Sequence, residues 1–152
     1  MSASTQEMRR ILIIDNDRDS VTVLAALMSE LGCQVSYTYD PRLALALAKH
    51  CKPDVALVDL RMPYVTGFDL AAAFKLEREL RGCALVAVSG YGDDGYGLAC
   101  AAAGFDAYLP KPATLEQMMA VLDDLVPRKR KVVAKAGIEP ATHGFSVRCS
   151  TN

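Results

Sequence analysis

Val55-Ala-Leu-Val-Asp-Leu-Arg-Met-Pro-Tyr-Val-Thr-Gly67 is the stretch that decides the fold. Its first four residues are apolar without alternation, as in a short strand covered on both faces. The run ends on an acid, Asp59, and enters a loop that carries Pro63 and Gly67. Ile11-Leu-Ile-Ile14 and Ala84-Leu-Val-Ala-Val88 have the same continuous character. Gln34-Val-Ser-Tyr-Thr-Tyr39 instead alternates, with Val35, Tyr37 and Tyr39 on one side, which predicts an edge strand. Ala107-Tyr-Leu109 is a short fifth run.

Helical patterns separate these runs. The first carries Val21, Leu24, Ala25, Met28 and Leu31 on one stripe and stops at Gly32. The second has Asp40 as N-cap and Pro41 at the first helical position. The third is predicted over Phe68–Arg81, ending at Gly82, and the fourth over Asp93–Ala103, ending at Gly104. The fifth opens with the capping box Thr114-Leu-Glu-Gln117 and precedes Pro127. Strand and helix alternating five times predict an α/β protein whose parallel sheet lies between two helix layers. Right-handed crossovers then make a doubly wound five-stranded sheet in order 2-1-3-4-5 the natural topology.

The 152 residues suit one domain, and 51% hydrophobic content with a net charge of −1 excludes a disordered chain or a bulk nucleic-acid binder. No apolar run reaches the roughly 20 residues that cross a bilayer. The polar start, Met1 to Arg10, has no signal-peptide block, so the expectation is a cytoplasmic protein with no membrane partner. The five cysteines form no C-x-x-C pair, which favours buried thiols over zinc.

Ligands of such sheets sit beyond the carboxyl ends of the strands. There strand 1 delivers Asp15-Asn16-Asp17, strand 3 Asp59, strand 4 Ser89 and strand 5 Pro110-Lys111-Pro112. Strands 1 and 3 are neighbours, so Asp15 and Asp59 converge and repel unless a cation joins them. Mg²⁺, a hard oxygen-seeking ion, with Lys111 opposite, meets that need. The same charges attract a phosphoryl group, Ser89 can hydrogen-bond one of its oxygens, and a carboxylate can accept it as an acyl phosphate.

These residues resemble the response-regulator receiver domain of two-component signalling, which has a flavodoxin-like (βα)5 fold. Ile11–Asp17 looks like its first strand and acidic pocket, and Pro53–Gly67 its phosphoacceptor stretch, with Asp59 at the acceptor position. Ala87-Val-Ser-Gly90 looks like the switch hydroxyl segment at Ser89. Gly104–Pro112 looks like the aromatic switch position, Tyr108, followed by the Lys-Pro pair, Lys111-Pro112. The resemblance covers Arg10 to about Val126 and implies a cis Lys111–Pro112 bond. It also implies Mg²⁺-dependent phosphorylation of Asp59 by a histidine kinase or histidine phosphotransfer protein. Asp15, Asp59, the Arg61 backbone carbonyl and the residue at Asn16 would hold the metal. Ser89 and Tyr108 would then move inward and alter the surface met by a downstream protein. The fourth and fifth helices are the family's usual partner face; Met119 and Val121 there are candidates for exposure, with core packing as the alternative. Such a domain is not an enzyme beyond its own phosphorylation and dephosphorylation. Bulky Arg61 and Tyr91, two positions after Asp59 and Ser89, imply a long-lived acyl phosphate.

Asn16 departs from the family, which has a second acid there; an amide oxygen lacks the charge, so weaker Mg²⁺ affinity is expected. Asp17 is expected to cap the first helix instead. The departure keeps a phosphorylation-independent binding module as an alternative. Asp15-Asn16-Asp17 also reads as the D-x-D of a haloacid-dehalogenase-like phosphohydrolase with Asp15 as nucleophile. However, Asp19 stands where Thr or Val is expected, and Asp123-Asp124 lie inside a predicted helix. Gly90-Tyr-Gly-Asp-Asp-Gly95 fits G-x-G-x-x-G, yet two acids at that helix start would repel a pyrophosphate.

Residues 127–152 hold six basic side chains and one acid, leaving 11 basic and 17 acidic residues in 1–126, a net charge of −6. Residues 1–9 and this basic tail are expected to be disordered around a folded body at 10–126, and no DNA-binding helices are recognisable in the tail. From Gly137 the tail resembles a translated antisense transfer-RNA gene, since Gly-Ile-Glu-Pro-Ala-Thr142 can be encoded by the complement of a T-arm.

Overall fold

The five apolar runs pair as one parallel sheet in the order β2-β1-β3-β4-β5. The strands are β1 (Arg10–Ile14), β2 (Gln34–Thr38), β3 (Val55–Asp59), β4 (Ala84–Ser89) and β5 (Ala107–Pro110). The helices are α1 (Arg18–Glu30), α2 (Ala44–Cys51), α3 (Gly67–Leu76), α4 (Asp94–Ala103) and α5 (Leu115–Leu125). The computed structural model describes residues 8–90 and 94–127. The sequence expectations for 1–7, for Tyr91 with the rest of 91–93, and for 128–152 lie outside the described residues.

Strand side chains alternate between two cores, as a period of two requires. Leu12, Ile14, Ala56, Val58, Leu85 and Ala87 face one layer, where Leu70, Ala71 and Phe74 of α3 and Cys100 of α4 pack. Ile11, Ile13, Val55, Leu57, Val86 and Val88 face the other, against Val21 and Met28 of α1 and Met118 and Leu122 of α5. Every residue of β3 is buried, which is why that run carries no polar alternation. Edge strand β2 keeps Tyr37 half exposed. Among the described residues no helix is long and apolar enough to cross a membrane.

Helix ends follow the sequence punctuation. Gly32, at φ 84°, closes α1 with Cys33 N–H donating to the Met28 carbonyl and Gly32 N–H to that of Ser29, the paired bonds of a Schellman cap. Gly104 (φ 104°) repeats the pattern after α4. The Thr114–Gln117 capping box is present at α5.

Two helices differ from expectation. The second begins as a 3₁₀ turn, Pro41–Leu43, before α2. The third does not continue to Arg81: Glu77 is extended and a 3₁₀ turn, Arg78–Leu80, follows. A continuous helix would set Leu80 about 120° around the axis from Phe74. The break instead buries both side chains. A further correction concerns Arg9, placed by sequence in the N-terminal extension. It is buried, its Nη2 lies 2.6 Å from Asp123 Oδ1 on α5, and its carbonyl accepts from Gln34 N–H at 2.8 Å. Arg9 therefore belongs to the compact body, which spans Met8–Pro127.

Candidate functional site

Strand register builds the site. Ile14 pairs with Val58, so the next residues, Asp15 and Asp59, emerge side by side at the carboxyl edge of the sheet. Asp59 pairs with Val88 and Ser89 with Pro110, which brings the ends of β4 and β5 to the same edge. Asp15, Asp59 and Ser89 are all buried. The Lys111 backbone N–H donates to the Ser89 carbonyl at 2.7 Å, and the following Lys111–Pro112 bond is cis.

Lys111 Nζ stands between the two acids, 2.8 Å from Asp15 Oδ2 and 3.9 Å from Asp59 Oδ1. Asp15 Oδ1 also accepts from Asp17 N–H at 2.9 Å. Asp59 Oδ1 accepts a long bond, 3.4 Å, from Arg61 N–H. One ammonium therefore serves two buried carboxylates and sits nearer to Asp15. The consequence falls on Asp59: burial first, and the neighbouring Asp15 charge second, push its carboxyl up to about 6, with Lys111 opposing them. The oxygen donors that could hold a hard cation are the Asp15 and Asp59 carboxylates. Among the described residues no group of three His, Cys, Asp or Glu side chains converges as a metal cluster.

The loop from Leu60 to Thr66 folds back over the strand end. Leu60 N–H donates to the Val88 carbonyl and Gly67 N–H to that of Leu60. A Cβ at Gly67 would lie 2.7 Å from the Asp59 carbonyl oxygen and 2.9 Å from Leu60 Cα, so only glycine fits there. Thr66 and Asp69 form a capping box that starts α3. Beside it opens a depression of about 500 Å³ lined by Leu60, Arg61, Met62, Pro63, Thr66 and Phe68.

The remaining sequence candidates divide. Asn16 is exposed, next to the pocket in sequence. Asp17 caps α1, accepting from Asp19 N–H at 3.2 Å and from the Ser20 hydroxyl at 2.8 Å; the latter bond chiefly holds its carboxyl below the usual range. Tyr108 is half-buried on β5, packed against the α3–α4 side core. Arg61 is exposed at the mouth. On α5, Met119 and Val121 are both half-buried, and Val121 packs on the core. Sequence reasoning missed one neighbour of the site: the Arg42 guanidinium lies 4.2 Å over the Tyr64 ring. No periodic pattern joins residues from two separate loops.

A parallel 2-1-3-4-5 sheet with two acids, a hydroxyl residue and a lysine gathered at its carboxyl edge is the arrangement of a signal receiver domain. The chain belongs to the response regulator receiver domain family, whose model matches residues 11–123. It is 31% identical over 136 residues to the transcriptional regulatory protein PrrA of Mycobacterium leprae, covering 89% of this chain and 57% of that protein. A response regulator receiver protein of Anaeromyxobacter sp. is 33% identical over 112 residues, covering 74% of this chain and 46% of its own length. The chain thus spans about half the length of these relatives. The fold is that of the chemotaxis protein CheY4 of Vibrio cholerae, with a TM-score of 0.74 at 22% identity, covering 79% of this chain and 100% of that one.

Proposed function

We propose that Asp59 accepts a phosphoryl group from a phosphohistidine, carried by a histidine kinase or a histidine phosphotransfer protein. The observation that carries this reading is the buried Asp59 carboxylate, which shares one ammonium with Asp15 and is the less well served of the two. An Asp59 oxygen attacks phosphorus, the P–N bond breaks, and the imidazole nitrogen leaves with the bonding electrons. Lys111 Nζ, 3.9 Å from Asp59 and anchored on Asp15, stands ready to neutralise a phosphoryl oxygen. Ser89, at the end of the adjacent strand, is the hydroxyl residue for another oxygen.

The donor chemistry fits Mg²⁺: two carboxylates against one lysine leave an excess of negative charge on hard oxygen ligands. Asp15, Asp59 and the Arg61 backbone carbonyl would hold it, with the Asn16 amide as a fourth, uncharged contributor. When bound, the ion neutralises the acids and orients the phosphoryl oxygens. With Asp17 engaged as a helix cap, Asn16 leaves the metal more weakly held than a second acid would.

New contacts between the phosphoryl group, Ser89 and Lys111 then bias a two-state equilibrium in which Tyr108 moves further into its core, changing the α4–β5–α5 surface offered to a downstream protein. No separate substrate is turned over. The reaction is cytoplasmic in this reading, and the domain passes its signal by protein contact. Asn16 also favours a second reading, a binding module that docks its partner without phosphorylation.

The test is radiolabel transfer from a competent phosphohistidine donor at a series of Mg²⁺ concentrations. Labelling is expected to vanish in Asp59→Asn and to need less Mg²⁺ in Asn16→Asp than in the natural sequence. Undiminished labelling of Asp59→Asn would overturn the proposal, and no labelling of the natural chain at any Mg²⁺ concentration would favour the second reading.

A further inference from the structure

The loop after the acceptor is pinned at both ends, by the Leu60–Gly67 bond and by the Thr66 cap. Its middle has a different character. Val65 N–H donates to the Pro63 carbonyl at 2.7 Å while Tyr64, between them, lies at φ 70°. An i to i+2 bond around a positive φ is the rarer and strained form of the γ-turn. Tyrosine has no local polar group to favour this conformation, unlike glycine or asparagine. Its ring is exposed, so burial does not hold it there. Arg42 meets it from another loop, 4.2 Å from the ring centroid. Arg42 is itself fixed by Asp40, whose Oδ1 accepts from Nε at 3.0 Å and Oδ2 from Nη2 at 3.1 Å. Asp40 is also the cap of the 3₁₀ turn that carries Arg42. A cation paired with Asp40 thus stands over the ring of a strained turn.

We infer that the Asp40–Arg42–Tyr64 stack is a latch that sets the β3–α3 loop for the chemistry at Asp59, with Tyr64 and Arg42 as positioning residues. The inference rests on the reading of Asp59 as phosphoacceptor. The link is short: Arg61, whose N–H reaches Asp59 Oδ1, lies three residues before Tyr64 in the same loop. When the stack opens, the turn relaxes and Arg61 loses its alignment with the acceptor. The latch also ties the β2–α2 connection to the reacting end of the sheet, so a partner that captures Arg42 or Tyr64 would alter phosphoryl acceptance.

The test measures phosphoryl incorporation from acetyl phosphate with Mg²⁺ into the full chain, together with amide hydrogen exchange of residues 60–66 in the unphosphorylated protein. Tyr64→Ala and Arg42→Ala are each expected to slow incorporation and speed exchange about two- to fivefold, the range of an exposed cation–π contact. Global stability should fall by no more than that same factor in the folding equilibrium. Tyr64→Phe keeps the ring and should behave as the natural protein. Tyr64→Gly removes the ring but also the strain of the positive φ, so it should lie between the natural protein and Tyr64→Ala. The double variant Arg42→Ala/Tyr64→Ala should be no slower than the slower single variant. Natural rates and exchange in Tyr64→Ala, or additive effects in the double variant, would overturn the latch. If the natural chain takes no phosphoryl from any donor, the phosphoacceptor reading fails. The exchange measurement alone then decides the latch: faster exchange in Arg42→Ala upholds it, and unchanged exchange refutes it.

Discussion

Asp59 is charged at a cost to the fold. Its carboxyl titrates near 3.8 when unperturbed and near 6 in the folded protein, because burial and Asp15 disfavour the anion more than Lys111 favours it. Between those two values the folded state keeps a proton that the unfolded chain has released. This group's contribution to stability is therefore fully present below pH 4, declines as pH rises, and is lost above pH 6. A tenfold difference in proton affinity between the folded and unfolded chain corresponds to about 1.4 kcal/mol. In metal-free buffer at pH 7.5, Asp59→Asn should thus raise stability by roughly 1–3 kcal/mol, because the shift already sets the attraction of Lys111 against burial and Asp15. The gain should shrink towards zero near pH 4. Urea midpoints at the two pH values check this; an equal effect at both would mean that ionisation is not the cause. At this scale the sequence was readable where strand ends supply the residue, as for Asp15, Asp59 and Lys111. It was unreadable where two loops meet, as for Arg42 and Tyr64, because such contacts leave no periodic trace.

The loop between β3 and α3 owes its path to one position. Gly67 lacks the Cβ that would lie 2.7 Å from the Asp59 carbonyl and 2.9 Å from Leu60 Cα, both backbone atoms at the end of β3. Backbone cannot swing aside as a side chain does, so Gly67→Ala must push the strand end away from the helix start. A loss of roughly 1–3 kcal/mol is expected, as for an overpacked core, with reduced phosphoryl labelling at Asp59. Gly82→Ala is the control, since nothing lies within 4 Å of a Cβ there; it should leave the urea midpoint and labelling nearly unchanged. If the two alanine variants behave alike, steric closure at Gly67 is not what fixes the loop. Element ends set by local chemistry were legible beforehand: the Gly32 and Gly104 stops, and the Thr114–Gln117 box. The break at Glu77 was not, because its cause is tertiary. Leu80 is drawn into the core, while Glu77 and Glu79 meet Lys49 and Lys52 at 3.3 and 3.4 Å, contacts a local pattern cannot announce.

At the scale of the whole molecule, one sheet joins two cores that share no side chain among the described residues. Cys83 and Cys100 belong to the α2–α3–α4 side and Cys33 to the α1–α5 side. All three are buried, whereas Cys51 is only half-buried. Burial, reinforced by the nearby Asp54 and Asp106, pushes the Cys83 thiol up to about 12, and burial also raises that of Cys100. A thiol with so high a pKa is almost entirely protonated at pH 8, and the thiolate is the reacting form. Cys83 should therefore react with a thiol reagent only through molecules that have opened. If β3 and β4, buried between the layers, bind them into one cooperative unit, Cys33, Cys83 and Cys100 should share one slow modification rate. That rate should rise together with urea, while Cys51 reacts earlier. Peptide mapping of alkylated protein by mass spectrometry resolves the four sites. A Cys33 rate well apart from that of Cys83 and Cys100, with its own urea dependence, would mean that the helix layers leave the sheet separately and that the sheet does not couple them.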